Sequence, residues 1–191
     1  MKLVFATNNK NKLSELQALV PEGIDILSLK EINCNEELPE TNPTLEGNAL
    51  QKAKYVYDNY GFNCFADDTG LEIETLGGAP GVYSDRYAGE DCKAEDNMQK
   101  VLTKLENEEN RNSKFRTVIA LIIKGKENLF EGECSGKITK TKSGAEGFGY
   151  DPIFTPNGYE ITFAEMTKNE KGAISHRGKA VEKLVRFLST S

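Results

Sequence analysis

Residues 117–123 read Thr-Val-Ile-Ala-Leu-Ile-Ile, and this run decides the fold class. It has no polar face, which is typical of a central β-strand that is covered on both sides. Residues 129–139 predict an antiparallel partner for it, and residues 2–6 predict a first strand. Further strands are predicted over 24–29, 64–66 and 71–74. Helices are predicted after residue 9 with Leu13 and Leu16 on the apolar side, over 42–59 with Asn42 as the N-cap, over 91–108 and from about 175. A mixed α/β fold with a substantial sheet follows.

Length and composition limit the class of protein. The 191 residues allow one sizeable core or one domain of two lobes, and 38% apolar with 28% charged residues exclude a disordered chain and a membrane protein. A net charge of -6 argues against broad binding to nucleic acid. Residues 1–6 are too short an apolar run for a signal peptide or a membrane span, so we expect a cytoplasmic protein. Its four cysteines are too widely spaced for a zinc or redox motif.

Three polar residues follow the first predicted strand. Thr7, Asn9 and Lys12 form a T-x-N-x-x-K pattern at the start of a predicted helix. A hydroxyl, an amide, backbone N–H groups and an ammonium at a helix N-terminus can bind phosphate. The alternative interpretation is an ordinary helix cap beside a solvated lysine.

A pair of carboxylates follows the short strand predicted over 64–66. Asp67 and Asp68 stand where that strand would end, and paired carboxylates there can bind Mg²⁺ or orient a water molecule. One glutamate of the acidic loop around Glu36, Glu37 and Glu40 could complete the carboxylate site. The alternatives are a structural turn for the aspartates and solvated surface for the glutamates.

Two further segments combine side chains that could bind a purine base. Residues 148–151 read Phe-Gly-Tyr-Asp in a glycine-rich loop, and aromatic rings in a loop can stack on a base. The only histidine, His176, precedes Arg177 at the start of the last predicted helix. The alternatives are aromatic packing on the core, a surface histidine and a helix cap at Ser175.

These segments together resemble those of the inosine triphosphate pyrophosphatases, a family that hydrolyses noncanonical purine nucleoside triphosphates. The likeness covers essentially the whole chain. The motifs that carry it are Ala6-Thr7-Asn8-Asn9-Lys10-Asn11-Lys12, Thr44-Leu45-Glu46-Gly47-Asn48-Ala49, Ala66-Asp67-Asp68-Thr69-Gly70-Leu71, Gly77-Gly78-Ala79-Pro80-Gly81-Val82-Tyr83-Ser84-Asp85-Arg86-Tyr87, Gly147-Phe148-Gly149-Tyr150-Asp151-Pro152 and Ser175-His176-Arg177.

The resemblance implies a fold, a reaction and a set of residues. The fold is a single α/β domain over residues 1–191, with two lobes around a long mixed β-sheet flanked by helices and an active-site cleft between the lobes. The reaction is Mg²⁺-dependent hydrolysis of ITP, dITP or XTP to the monophosphate and pyrophosphate, in a cytoplasmic homodimer without nucleic-acid or membrane partners. Asp68 would be the catalytic base and, with Glu40, would bind the metal. The implied substrate-binding residues are Thr7, Asn8, Asn9, Lys10, Asn11, Lys12, Lys52, Thr69, Phe148, Gly149, Tyr150, Asp151, Lys171, His176 and Arg177.

The chain departs from the family pattern at two places. Asn42-Pro43 stands where a glycine is common after the Glu-Thr pair, and this difference affects the mobility expected for the Glu40 loop. Asn8 and Asn11 replace small residues in the phosphate turn.

Two other functions remain open from the residues. A Mg²⁺-dependent phosphomonoesterase could use Asp67 or Asp68 as its nucleophile, although the D-x-D-x-T pattern of such enzymes is missing. A non-catalytic nucleotide-binding or RNA-binding module could use the Phe148 loop, although the acidic pI near 5.1 disfavours RNA.

Overall fold

The computed structural model describes all 191 residues and contains seven strands and five α-helices. The strands are β1 (Lys2–Phe5), β2 (Asp25–Leu27), β3 (Cys64–Ile73), β4 (Pro80–Gly81), β5 (Asn112–Ile123), β6 (Lys126–Ile138) and β7 (Phe154–Pro156). The helices are α1 (Lys10–Leu19), α2 (Leu45–Tyr60), α3 (Ala94–Lys104), α4 (Lys168–Ile174) and α5 (His176–Ser189). None of these helices has the length and apolar content needed to cross a bilayer.

All seven strands belong to one mixed sheet. Its strand order is β2-β1-β3-β5-β6-β7, and β4 pairs with β3 outside this path. Strand β1 runs parallel to β2 and β3, whereas β4 is antiparallel to β3 and β7 is antiparallel to β6. Lys124 and Gly125, both with positive φ, join β5 to β6 in a two-residue connection that is typical of a hairpin. The predicted mixed α/β class is therefore confirmed, with residues 117–123 inside the sheet.

The chain forms two compact units. Unit 1 comprises Met1–Asp68, Thr117–Gly132 and His176–Ser191, and unit 2 comprises Thr69–Arg116 and Glu133–Ser175. In the core of unit 1, the rings of Phe5 and Phe65 stack with centroids 4.7 Å apart. In the core of unit 2, Phe154 packs with centroids 4.6 Å from Phe115 and 5.0 Å from Phe163. Each unit thus has its own apolar cluster.

The prediction of two short strands separated by a turn is wrong for β3. This strand runs without a break over ten residues, so Asp67 and Asp68 lie inside a strand rather than at its end. Its first residues pair with β1 and its later residues with β4. In the sheet, β3 lies between β1 and β5, and this tertiary support outweighs the low strand propensity of the Asp-Asp-Thr-Gly stretch.

The helix boundaries also differ from the predictions. The N-cap of α2 is Thr44, whose side chain accepts a hydrogen bond from the Gly47 N–H, and not Asn42. Helix α3 is shorter than predicted, while α4 and β7 were not predicted. Helix α4 spans only seven residues and β7 only three, too few for a clear hydrophobic period.

At Gly132, strand β6 approaches helix α5 closely in unit 1. A Cβ atom at this position would lie 2.1 Å from the carbonyl oxygen of His176 and 2.6 Å from the backbone nitrogen of Ala180. We therefore expect Gly132→Ala to lower the free energy of unfolding by about 3 kcal/mol, because backbone atoms cannot move aside as a flexible side chain can. Urea denaturation followed by circular dichroism measures this, with Ser135→Ala on the same strand as the control. An unchanged midpoint would show that α5 shifts away from β6 at little cost.

Candidate active site

Asp67 is the centre of a buried ionic cluster in unit 1. Its carboxylate accepts from the Lys12 Nζ at 3.2 Å and from the Arg177 Nε at 3.1 Å, and only 1% of the residue is exposed. Burial alone would raise the pKa of Asp67, but Lys12, Arg177 and Lys52 together hold this pKa well below its ordinary value. Asp67 is therefore ionised and fixes two cationic side chains that come from opposite ends of the chain.

Lys52 on α2 joins the same cluster through two oxygens. Its ammonium donates to the backbone carbonyl of Asp67 at 2.6 Å and lies 2.5 Å from a carboxylate oxygen of Glu40. Lys12 and Lys52 are both buried, which is rare for lysine unless it is paired. The structure thus brings together the two lysines that the resemblance assigns to the triphosphate.

Asp68 lies in the same cluster but differs from Asp67 in its electrostatics. Burial is the main cause that raises the pKa of Asp68 to about 6, and the carboxylates of Glu40 and Asp67 add to this effect against Lys52 and Lys12. At Glu40, burial opposes ionisation, but Lys52 outweighs it and lowers the pKa. The two neighbouring aspartates therefore have pKa values shifted in opposite directions.

The residues of this cluster fit a magnesium ion. Three cationic side chains, Lys12, Lys52 and Arg177, face four carboxylates, Glu15, Glu40, Asp67 and Asp68, so negative charge is in excess. No group of three His, Cys, Asp or Glu residues is arranged to hold a metal by itself. Mg²⁺ usually takes one or two carboxylates and fills its other positions with water and substrate phosphate oxygens. Asp68 and Glu40 provide that kind of donor set, and a cation would offset the crowding of their carboxylates.

The turn between β1 and α1 is organised by Asn9. The Asn9 side chain accepts from the backbone N–H groups of Asn11 and Lys12 at 3.0 and 3.1 Å, and thereby caps α1. The Thr7 hydroxyl accepts from the Asn9 N–H at 3.1 Å. Asn8, Lys10 and Asn11 are exposed. The capping interpretation therefore holds for Asn9, while Lys12 is a buried member of the cluster rather than a solvated lysine.

Arg177 and His176 open helix α5 and are both buried. Besides Asp67, the Arg177 guanidinium contacts Glu15 on α1 through its Nη1 at 2.6 Å. Burial would lower the pKa of Arg177, but the two carboxylates outweigh it. Glu15 is the member of the cluster that sequence reasoning did not identify. Glu15 follows Lys12 by three residues on the same helical face, but no local signal links it to an arginine 162 residues away.

The predicted base-binding residues of unit 2 form a second buried group. One carboxylate oxygen of Asp151 accepts from the Phe148 N–H at 3.0 Å and from the Lys171 Nζ at 2.7 Å. The Lys171 ammonium lies 4.9 Å from the Phe148 ring centroid and 5.5 Å from that of Phe163. Asp151 and Lys171 thus fix the backbone and the ring of Phe148 together, and such a platform can stack on a base.

The glycines and Tyr150 shape this loop. Gly147 has φ 71°, and a Cβ there would lie 2.1 Å from the Asp151 carboxylate, so the ion pair requires glycine. Gly149 has φ 63°, also in the left-handed region. The Tyr150 hydroxyl donates to the Ser84 carbonyl at 2.6 Å within unit 2. Thr69, half-buried on β3, belongs to unit 2.

Comparison with known proteins covers almost the whole chain. The sequence model of the Ham1 family matches residues 3–187. The dITP/XTP pyrophosphatase of Flavobacterium johnsoniae is 56% identical over 191 residues, which is 100% of both chains. The enzyme of the same name from Bacillus subtilis is 43% identical over 189 residues, 97% of this chain and 96% of the relative. Among solved structures, a HAM1 protein from Coxiella burnetii has a TM-score of 0.91 and 37% identity, with 100% of both chains covered.

Proposed function

The chain belongs to the Ham1 family, and from this premise we propose that it hydrolyses abnormal purine nucleoside triphosphates, ITP, dITP and XTP, to the monophosphate and pyrophosphate. The observation that carries this proposal is the Asp67 cluster of unit 1, in which two buried lysines and two further carboxylates surround one aspartate. Buried lysines can neutralise a polyphosphate, and the carboxylates beside them can hold a cation.

The reaction requires a held water, neutralised phosphates and a leaving pyrophosphate. Lys12 and Lys52 would neutralise the triphosphate, while Asp68 would orient the water that attacks the α-phosphorus and accept its proton. Glu40 and Asp68 would hold Mg²⁺, which when bound supplies positive charge that stabilises the leaving pyrophosphate. Asp67 holds Lys12 and Arg177 in place throughout.

Selection of the base would depend on hydrogen-bond donors. Hypoxanthine and xanthine carry an oxygen at position 6, where adenine carries an amine, so a donor such as His176 or Arg177 would find an acceptor on one class of base only. A buried donor left without an acceptor costs about 1–3 kcal/mol. In unit 2, the Phe148 ring held by Asp151 and Lys171 would supply the stacking surface.

We propose further that the chain acts as a single functional domain in a cytoplasmic homodimer without nucleic-acid or membrane partners. Support for one domain comes from the family match over residues 3–187. The dimer rests on the family resemblance, and the statement on nucleic acid rests on the net charge of -6. The cytoplasmic location and the statement on membranes rest on the absence of a long apolar segment in the sequence.

Steady-state kinetics with ITP, XTP, GTP and ATP, with pyrophosphate and phosphate detected separately, tests the proposal. We expect pyrophosphate as the inorganic product, with kcat/KM for ITP and XTP well above those for GTP and ATP. Release of phosphate alone would favour the phosphomonoesterase alternative, and binding without turnover would favour a nucleotide-binding module.

Substitution of either buried lysine tests the phosphate site. We expect Lys12→Met and Lys52→Met each to lower kcat/KM for ITP by about tenfold or more, because a charge-assisted hydrogen bond contributes about 1.5–3 kcal/mol. Lys54→Met is the matched control, since Lys54 lies on α2 like Lys52 and makes an exposed ion pair with Glu127. Wild-type kinetics in both lysine variants would remove these residues from the site.

A further inference from the structure

Residues 33–44, here called the 33–44 loop, carry Glu40 and contain no helix or strand. This loop belongs to unit 1 and ends at Thr44, the N-cap of α2. Its position is therefore determined by side-chain contacts rather than by a backbone ladder. Most of these contacts come from α2, the helix that also carries Lys52.

Gln51 on α2 uses both ends of its side-chain amide to hold the loop. Its oxygen accepts from the backbone N–H of Thr41 at 2.9 Å and from the side-chain amide of Asn42 at 2.8 Å. Its nitrogen donates to the Thr41 hydroxyl at 2.9 Å. Three hydrogen bonds from one half-buried glutamine thus fix the two residues that directly follow Glu40.

Asn42 is held against the helix by two further contacts. Its backbone N–H donates to the side chain of Asn48 at 2.8 Å, and Asn48 is 1% exposed. A Cβ at Gly47 would lie 2.7 Å from the Asn42 Cβ, so Asn42 sits directly on the helix surface at this glycine. The asparagine that stands where the family commonly has glycine is therefore an anchoring residue in this chain.

A second anchor holds the loop upstream of Glu40. The hydroxyls of Tyr55 and Tyr60 on α2 both donate to the carboxylate of Glu36. Between the two anchors, Glu40 reaches the Lys52 ammonium at 2.5 Å. Because Gln51 and Lys52 are consecutive on α2, one turn of helix fixes both the backbone beside Glu40 and its carboxylate.

We propose that Gln51 is a positioning residue that latches the 33–44 loop onto α2 through Thr41 and Asn42, so that Glu40 is held beside Lys52 before substrate binds. This inference rests on the role proposed above for Glu40. Without the latch, the loop samples positions in which Glu40 is displaced. The apparent affinity for substrate then equals the intrinsic affinity multiplied by the fraction of molecules with the loop in place. Once substrate is bound, the same geometry is restored, so turnover at saturation is little changed.

The test compares Gln51→Met, which keeps the size of the side chain but removes its amide, with Gln51→Glu, which keeps the oxygen that accepts from Thr41 and Asn42. Gln17→Met on the exposed side of α1 is the matched control. Amide hydrogen exchange of Thr41 and Asn42, measured by NMR on the substrate-free protein, reports on the latch itself. Steady-state kinetics with ITP at fixed Mg²⁺ report on its consequence.

For Gln51→Met we expect exchange at Thr41 to become at least about tenfold faster, the KM for ITP to rise about three- to tenfold and kcat to stay within about twofold of wild type. Gln51→Glu should restore most of the protection and of the KM, and Gln17→Met should change neither. Unchanged exchange at Thr41, or faster exchange with an unchanged KM, would overturn the inference. Absence of pyrophosphate release from the wild-type protein would contradict the proposed function instead, and the exchange rates would still decide whether Gln51 holds the loop.

Discussion

Replacing Asp68 with asparagine is expected to lower the rate of pyrophosphate release from ITP by at least about a thousandfold at saturating Mg²⁺. The substitution keeps the volume of the side chain but removes the charged oxygens proposed to hold the metal and the attacking water. The fold should survive, because burial and the carboxylates of Glu40 and Asp67 already disfavour the ionised form of Asp68. We therefore expect the melting temperature at neutral pH to be unchanged or higher.

Asp58→Asn is the control for this experiment. Asp58 is an exposed aspartate on α2 outside the Asp67 cluster, so both its turnover and its melting temperature should match those of the wild type. Near-normal turnover of Asp68→Asn with a cooperative unfolding transition would remove Asp68 from the catalytic role. Loss of turnover together with a large drop in melting temperature would show instead a structural role.

Arg177→Met is expected to have the largest effect on stability, a decrease of about 3–5 kcal/mol in the free energy of unfolding. The variant leaves Asp67 and Glu15 without the buried guanidinium that contacts both of them at 3.1 and 2.6 Å. Removing one partner of a buried ion pair leaves an uncompensated buried charge. Urea denaturation at neutral pH measures the loss. Arg186→Met on the same helix is the control and should change stability by less than about 1 kcal/mol, because the Arg186–Glu182 pair is exposed.

The same variant tests the prediction that Arg177 reads the purine. At a temperature below the melting temperature of Arg177→Met, we expect kcat/KM for ITP to fall about ten- to a hundredfold while the low value for ATP changes little. The reason is that only the 6-oxo base gains from the guanidinium donor. An equal loss on both substrates would place the effect of Arg177 on the Asp67 cluster and not on the base.

The fold class could be predicted because its strongest signals are local. The apolar run at 117–123 and the helical period of Leu13 and Leu16 lie within single elements, and β5 and α1 confirm both predictions. The continuous strand β3 could not be predicted, since its neighbours in the sheet, β1 and β5, are distant from it in the sequence. Thr44 replaced Asn42 as the cap because Asn42 bonds instead to Gln51 and Asn48.

By itself, the sequence determined the fold class and suggested a set of candidate site residues, because hydrophobic periodicity and ordered motifs can be identified along the chain. Only the tertiary structure decided how those residues are paired. It showed that Asp67 joins Lys12, Lys52 and Arg177, whereas Asp68, one residue further along the same strand, has its pKa raised to about 6. Asp67 forms its side-chain hydrogen bonds with Lys12 and Arg177, whereas burial is the main cause of the raised pKa of Asp68. The physical reason is that Lys12 and Arg177 lie 55 and 110 positions from Asp67 in the sequence, so only folding brings them together.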